Sequence, residues 1–158
     1  MAANNDRHLS IRRATPTDAD RVAALTDAAY ATYVPRLGRK PQPMSQDYRR
    51  MLEGPQPVWL LALDGREAGV LVLRRDPDAL LIYSVAIDPP CQGQGLGRAL
   101  LAWAEQEARR AGYDKIRLYT NALMVENMAL YIHLGYRETS REAYLGSTLV
   151  HFCKELGS

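Results

Sequence analysis

The run Asp88-Pro89-Pro90-Cys91-Gln92-Gly93-Gln94-Gly95-Leu96-Gly97-Arg98 constrains this chain more than any other, because it joins an apolar, strand-like segment ending at Ile87 directly to a helical pattern beginning near Gly95. Glycines at alternate positions leave successive backbone N–H groups uncovered by side chains. Such groups at a helix start favour an anion, by about 0.3–1 kcal/mol at a surface and up to about 2 kcal/mol when partly buried. A pyrophosphate suits that arrangement. Two other diphosphate loops fail on spacing: G-x-G-x-x-G needs glycine where Arg98 or Leu100 stands, and the P-loop needs a closing Gly-Lys-Ser/Thr. A flexible turn is the competing reading, but glycines near a helix start cost helix stability, which favours a ligand.

The rest of the sequence sets bounds. At 158 residues, 47% hydrophobic and 24% charged, it suits one ordinary globular domain over residues 1–158. No apolar run approaches a membrane span and Met1 to Leu9 lacks the apolar stretch of a secretory signal, so the expectation is a cytoplasmic protein without a membrane partner. A net charge of +2 is too small for a nucleic-acid footprint. Cys91 and Cys153 stand far apart and read as reduced thiols. His8, His133 and His151 lack metal-ligand spacing, so no metal is expected. The ends, Met1 to His8 and Gly157-Ser158, read as frayed.

Periodicity and turn residues divide the chain into elements. Ile11 to Ala14 reads as a strand, Asp18 to Tyr33 as an alanine-rich helix, and the proline- and glycine-rich stretch Val34 to Pro43 as a loop. Ser45 is placed to cap a short helix through Leu52. Val58 to Leu63 and Glu67 to Arg74 are strands joined by Asp64-Gly65, a strong hairpin signal, and Ala79 to Ile87 is a third. Gly95 to Ala111 carries Leu96, Leu100, Trp103, Ala104 and Ala108 at helical spacing, with Glu105, Glu107, Arg109 and Arg110 outward and Gly112 closing it. Lys115 to Thr120 is a strand, Val125 to Leu134 a helix, and Tyr136 to Arg141 and Thr148 to Lys154 are strands about the turn Tyr144-Leu145-Gly146-Ser147. The order β-α-α-β-β-β-α-β-α-β-β describes an α/β fold, a mixed sheet with helices on both faces.

The loop segment Gln92-Gly93-Gln94-Gly95-Leu96-Gly97 matches the pattern Q/R-x-x-G-x-G/A, and by it the chain resembles the GNAT superfamily of N-acetyltransferases. The downstream segment Asn127-Met128-Ala129-Leu130-Tyr131-Ile132-His133-Leu134-Gly135-Tyr136 looks like that family's second conserved element. The resemblance runs from about Leu80 to the C-terminus and more weakly back to Ile11. It implies a mostly antiparallel sheet containing one splayed parallel pair, with acetyl-CoA as the acetyl donor. On the family's pattern, backbone groups of Val85, Ala86 and Ile87 bond the pantetheine arm, the N–H groups of Gly93, Gln94, Gly95, Leu96, Gly97 and Arg98 hold the pyrophosphate, and Gln92 orients the loop. An exposed first-turn arginine is an equal reading of Arg98.

Asn127 and Tyr131 are four residues apart and share a helix face. Periodicity alone leaves Tyr131 evenly divided between a packed aromatic and a site residue. The resemblance makes it the catalytic acid that protonates the departing thiolate, and gives Asn127 a pantetheine contact. A phenol suits proton donation because its ordinary pKa lies near about 10.

A general base is less legible. Many members of the family carry a carboxylate on the strand before the loop, and Leu80-Leu81-Ile82-Tyr83-Ser84-Val85 has none. Tyr83, Ser84, a water or an inward-turned Glu126 are the alternatives. Tyr30, Tyr33, Arg36 and Arg39, with Lys40, Met44, Asp47 and Tyr48 nearby, suit a small-molecule or peptide amine acceptor bearing a carboxylate or phosphate. A solvated basic loop is the alternative there. The resemblance also implies a homodimer as a common state. Direct transfer to the amine in a ternary complex is the leading function; a non-catalytic acyl-CoA-binding domain of the same fold is the second.

Overall fold

The computed structural model describes residues 7–157; of the ends expected to fray, 1–8 and 157–158, residues 1–6 and 158 lie outside the described residues, whereas His8 is tied to Asp64, donating to its carboxylate at 2.9 Å and accepting from its N–H at 2.8 Å. Among the described residues, one sheet has the spatial order β1-β2-β3-β4-β5-β7-β6. Its strands are β1 (Leu9–Arg13), β2 (Val58–Leu63), β3 (Arg66–Arg75), β4 (Leu80–Ile87), β5 (Lys115–Asn121), β6 (Arg137–Tyr144) and β7 (Ser147–Glu155). The helices are α1 (Ala19–Ala31), α2 (Val34–Leu37), α3 (Tyr48–Glu53), α4 (Leu96–Arg110) and α5 (Val125–His133). β4 and β5 run parallel, and the other neighbours are antiparallel. The hairpins turn where the sequence places them. Asp64 and Gly65 have φ of 52° and 82°, and Leu145 and Gly146 of 48° and 78°, positive at both central residues as a two-residue hairpin requires.

Helices cover both faces of the sheet. α1 and α3 bury Val22, Leu25, Ala29 and Leu52 against Val58, Leu60, Val70 and Val72. On the other face α4 buries Leu96, Leu100, Leu101, Ala104 and Ala108 against Leu71, Leu73, Ile116, Leu118 and Phe152. Alternation along β3 explains its composition: even-numbered valines serve one core and odd-numbered leucines the other, so its central run Val70 to Leu73 is apolar on both faces. α5 has no fully buried residue and leans Leu130, Tyr131 and Leu134 on the α4 core.

Three expectations need correction. The stretch 34–43 is not all loop: Pro35 lies in the first turn of α2, where its fixed φ favours helix, and Gly38 at φ 73° stops it within one turn. α3 is capped by Asp47, whose carboxylate accepts from the Arg50 N–H at 3.1 Å, while Ser45 ends a preceding 3-10 turn. Glu105 is not outward: its side chain is only 12% exposed and pairs with Lys154 at 2.9 Å, because β7 runs beneath that flank of α4.

Phe152 is fully buried in the α4 core and meets the Tyr131 ring edge-on at a centroid distance of 5.9 Å. Phe152→Ala is expected to lower the unfolding free energy by about 3–5 kcal/mol, read from urea denaturation, because the surrounding layers cannot collapse around the lost ring.

Candidate functional site

The parallel pairing of β4 with β5 covers only Leu80 to Ile82 against Ile116 to Leu118, although β4 continues to Ile87 and β5 to Asn121. The strands part because β4 changes course at Tyr83. Val72 opposes Ser84 and Leu73 opposes Ile82, which leaves Tyr83 as the extra residue of a bulge. The bulge also resets the alternation. Leu80 and Ile82 before it, and Val85 and Ile87 after it, all face the α4 core, while Tyr83 and Ala86 turn to the α1 side.

A cavity of about 830 Å³ fills the gap. From the α4 face it is lined by Val85, Ile87, Leu118, Leu130 and Tyr131, and from the α1 face by Tyr30, Tyr33, Tyr83, Tyr119 and Tyr144. It therefore passes through the sheet, with one mouth at the glycine loop and the other under residues 39–43.

At the loop mouth the chain is held open. Gly93 and Gly95 both have φ of 80°, and Gly95 is the N-cap of α4. A Cβ added at Gly93, Gly95 or Gly97 would meet nothing within 4 Å. The N–H groups from Gly93 to Arg98 bond to nothing among the described residues. Gln92 Nε2 donates to the Ile87 carbonyl at 3.1 Å, tying the loop to the end of β4. Gly93, Gly95, Leu96, Gly97 and Arg98 line the cavity together with Gln92. Gln94 turns away, its carbonyl accepting from Arg7 at 2.9 Å, and the Ala86 side chain is buried on the α1 face.

At the centre, Asn127 and Tyr131 both line the cavity from α5. Both readings of Tyr131 hold at once: its ring packs edge-on against Tyr136 and Phe152, at 6.1 and 5.9 Å, while one side faces the cavity. Burial pushes its phenol well above the usual tyrosine range. Tyr30 lies across the gap, its hydroxyl 3.2 Å from Ser84 Oγ, and burial raises it too. Tyr83 is buried without a hydroxyl partner, lies under the Arg74 guanidinium at 3.9 Å, and is pushed up to about 12 by desolvation.

The residues expected on the acceptor side divide. Tyr30, Tyr33, Arg39 and Lys40 line the cavity. Arg36 does not. It donates to Glu126 at 2.5 Å on the surface, which also turns Glu126 outward and holds its carboxyl below the usual range. Tyr48 is core, its hydroxyl donating to the Pro43 carbonyl, and Asp47 is occupied as a cap. The loop after α2 closes on the β6–β7 turn, where Gln42 bonds the Tyr144 hydroxyl. Tyr119, Glu142 and Tyr144 also line the cavity, and the sequence reading did not single them out. Alternation was the available signal: with Ile116 and Leu118 assigned to a core, Tyr119 must face the other side.

A family model described as the acetyltransferase (GNAT) family matches residues 22–136. Mycothiol acetyltransferase of Beutenbergia cavernae is 34% identical over 131 residues, covering 78% of this chain and 42% of the relative. The chain thus spans less than half the length of that relative. Among solved structures, the ribosomal-protein-S18-alanine N-acetyltransferase of Escherichia coli superposes with a TM-score of 0.79 at 20% identity, covering 96% of each chain. A Salmonella typhimurium structure solved with its cofactor acetyl-CoA gives 0.70 at 23% identity, covering 96% and 95%. These superpositions show the fold. Among the described residues no helix is long and apolar enough to cross a membrane.

The raised phenols predict alkaline behaviour. Unfolding exposes Tyr131, which then ionises near about pH 10, whereas the folded state holds it protonated to higher pH. Above about pH 10 the unfolded state therefore binds fewer protons, and stability must fall as pH rises. Urea denaturation between pH 8 and pH 11 should show a stability that is flat below about pH 10 and declines above it, with a shallower decline in Tyr131→Phe.

Proposed function

The chain belongs to the acetyltransferase (GNAT) family, and on that premise we propose that it is an N-acetyltransferase moving the acetyl group of acetyl-CoA directly to a primary amine in a ternary complex. The observation that carries this reading is the continuity of one cavity, from the bare N–H row of Gly93 to Arg98, past the Tyr131 phenol, to an end lined by tyrosines and cations. The loop fits a diphosphate because its N–H groups are unengaged and the space a Cβ would fill is clear. When bound, acetyl-CoA supplies an acetyl group activated as a thioester.

The chain's residues then have separate roles. N–H groups of Gly93, Gln94, Gly95, Leu96, Gly97 and Arg98 hold the pyrophosphate, with Gln92 fixing the loop to β4. The β5-facing backbone edge of Val85, Ala86 and Ile87, beyond the parallel pairing, receives the pantetheine amides as a neighbouring strand would. Asn127 steadies that arm. Tyr131 Oη donates its proton to the sulfur as the carbon–sulfur bond breaks, a role a phenol can fill because it is protonated at neutral pH. Positioning thioester and amine together is the larger contribution, since it converts a bimolecular encounter into a local one.

Tyr30, Tyr33, Arg39 and Lys40 bind the acceptor. The cations suit an amine that also carries a carboxylate or phosphate, and neither Arg39 nor Lys40 has an ion-pair partner among the described residues. Arg36, committed to Glu126, leaves this set. The lack of a carboxylate on β4 favours one second reading, a non-catalytic acyl-CoA-binding domain.

Calorimetry with CoA should give a Kd in the low micromolar range, about −8 kcal/mol. Gly95→Val, which forces a branched side chain into φ 80° at the phosphate approach, should weaken it at least tenfold in a folded variant. No heat with millimolar CoA would overturn both readings. Thiol release with acetyl-CoA across glycinamide, an alanine-terminated peptide, spermidine and aminomethylphosphonate separates enzyme from binding domain. With the fastest amine, Tyr131→Phe should keep CoA affinity and lose roughly 10²–10⁴-fold in turnover, nearer the lower end because a thiol departs easily. Wild-type turnover in that variant would return Tyr131 to a packing role.

A further inference from the structure

Among the described residues lining the cavity there is one carboxylate, Glu142, and it stands at the acceptor end. Other acidic groups near the site are committed elsewhere: Glu126 to Arg36, Asp47 to the start of α3, and Asp88 to Arg66 at 3.5 Å. The strand-borne alternatives also fail. Tyr83 is desolvated, so its phenolate is too costly to serve as a base near neutral pH, and Ser84 is engaged with Tyr30.

We propose that Glu142 is the catalytic base that anchors the acceptor's ammonium and removes its proton, with His151 as its positioning residue. The inference rests on the acetyltransferase reading above. Strand alternation places the pair: Val150 and Phe152 point into the α4 core, so Leu149 and His151 point to the α1 side, and Glu142 opposes Leu149 there. Glu142 Oε1 lies 2.7 Å from His151 Nε2. The imidazole in turn rests against the Tyr119 ring at a centroid distance of 5.6 Å, so it is held between a cavity wall and the carboxylate. That contact occupies Oε1 and leaves Oε2 for the amine. With its side chain 56% exposed, Glu142 can pass a proton to solvent after each turnover.

The charged and titratable groups around Glu142 are His151 from β7, Tyr119 from β5, Tyr144 on its own strand, and Arg39 and Lys40 from the loop that closes on the Gly146 turn. Glu142 is the anion among them. An arriving ammonium therefore finds one place where its charge is favoured. There its N–H bond breaks and the proton moves to Oε2. The freed nitrogen lone pair forms the bond to the thioester carbon, the second surplus proton on nitrogen passes to water, the carbon–sulfur bond breaks, and sulfur takes the Tyr131 proton. Solvent then removes the proton from Glu142 and restores that of Tyr131, so one ammonium and one thioester give one amide, one thiol and one proton.

The test is Glu142→Gln, an isosteric change at an exposed site. Using the fastest amine of the panel, kcat/KM at pH 7 should fall roughly 10²–10³-fold, and the deficit should shrink by about tenfold per pH unit as free amine accumulates. Calorimetry of the same amine on CoA-saturated protein should show affinity reduced at least tenfold, with CoA affinity itself unchanged. His151→Phe should lose about tenfold in kcat/KM, and His151→Gln, which retains an N–H donor for Oε1, should recover most of it. A wild-type rate in Glu142→Gln, or a loss that does not change with pH, overturns the assignment while leaving the enzyme reading intact. Wild-type protein that binds CoA but releases no thiol with any amine overturns both.

Discussion

The main-chain pairing that β4 and β5 forgo beyond Ile82 and Leu118 is the constraint on which the site depends. An unmade backbone hydrogen bond in a buried setting costs about 1–3 kcal/mol, so a sheet does not open in its middle without compensation. Here the bulge at Tyr83 bends β4 away, while β3 keeps its pairing with β4 through to Ile87. α4 covers the opening from one side and α1 from the other. The result is a strand edge inside a sheet, a position that suits an extended ligand rich in amide groups.

Because the opening crosses the sheet, the two faces line different ends of one cavity. The α4 face carries the glycine loop and Tyr131, and the α1 face carries Tyr30, Tyr33 and Glu142. Neither set is assembled by one stretch of sequence. Tyr131 is held by Phe152 of β7, and His151, next along the same strand, is the neighbour of Glu142. β7 thus supports Tyr131 with one face and Glu142 with the other, and its place between β5 and β6 is what brings the C-terminal hairpin to the cavity.

This also explains which parts were legible in the sequence. Features set by a few adjacent residues were readable: the hairpin at Asp64-Gly65, the end of α4 before Gly112, the loop from Gln92 to Gly97 and the shared face of Asn127 and Tyr131. α2 was missed because Pro35 and Gly38, which bound it, are also ordinary loop residues. Arg36 and Glu126 are 90 residues apart, and their pairing follows from how α2 lies beside the start of α5, which no local pattern encodes. Glu142 was hidden for a related reason. β6 is almost wholly exposed, so its Arg-Glu-Thr-Ser-Arg-Glu-Ala run has no apolar alternation to reveal which face each residue takes. Its facing is inherited from β7 through their register.

The three loop glycines look equivalent in sequence and differ in the fold. Gly93 and Gly95 occupy φ of 80°, where a Cβ is strained, so the backbone alone accounts for them. Gly97 lies inside the first turn of α4 without a positive φ, and a side chain there would meet no neighbour within 4 Å. Alanine has the higher helix propensity, so the helix itself does not select glycine there. A residue that the turn does not require, that packing does not require and that weakens its helix is explained by what must approach it from outside. The space above Gly97 opens into the cavity, beside the unengaged N–H groups, and close approach of backbone to a phosphate is a reason for glycine that the protein's own atoms do not supply.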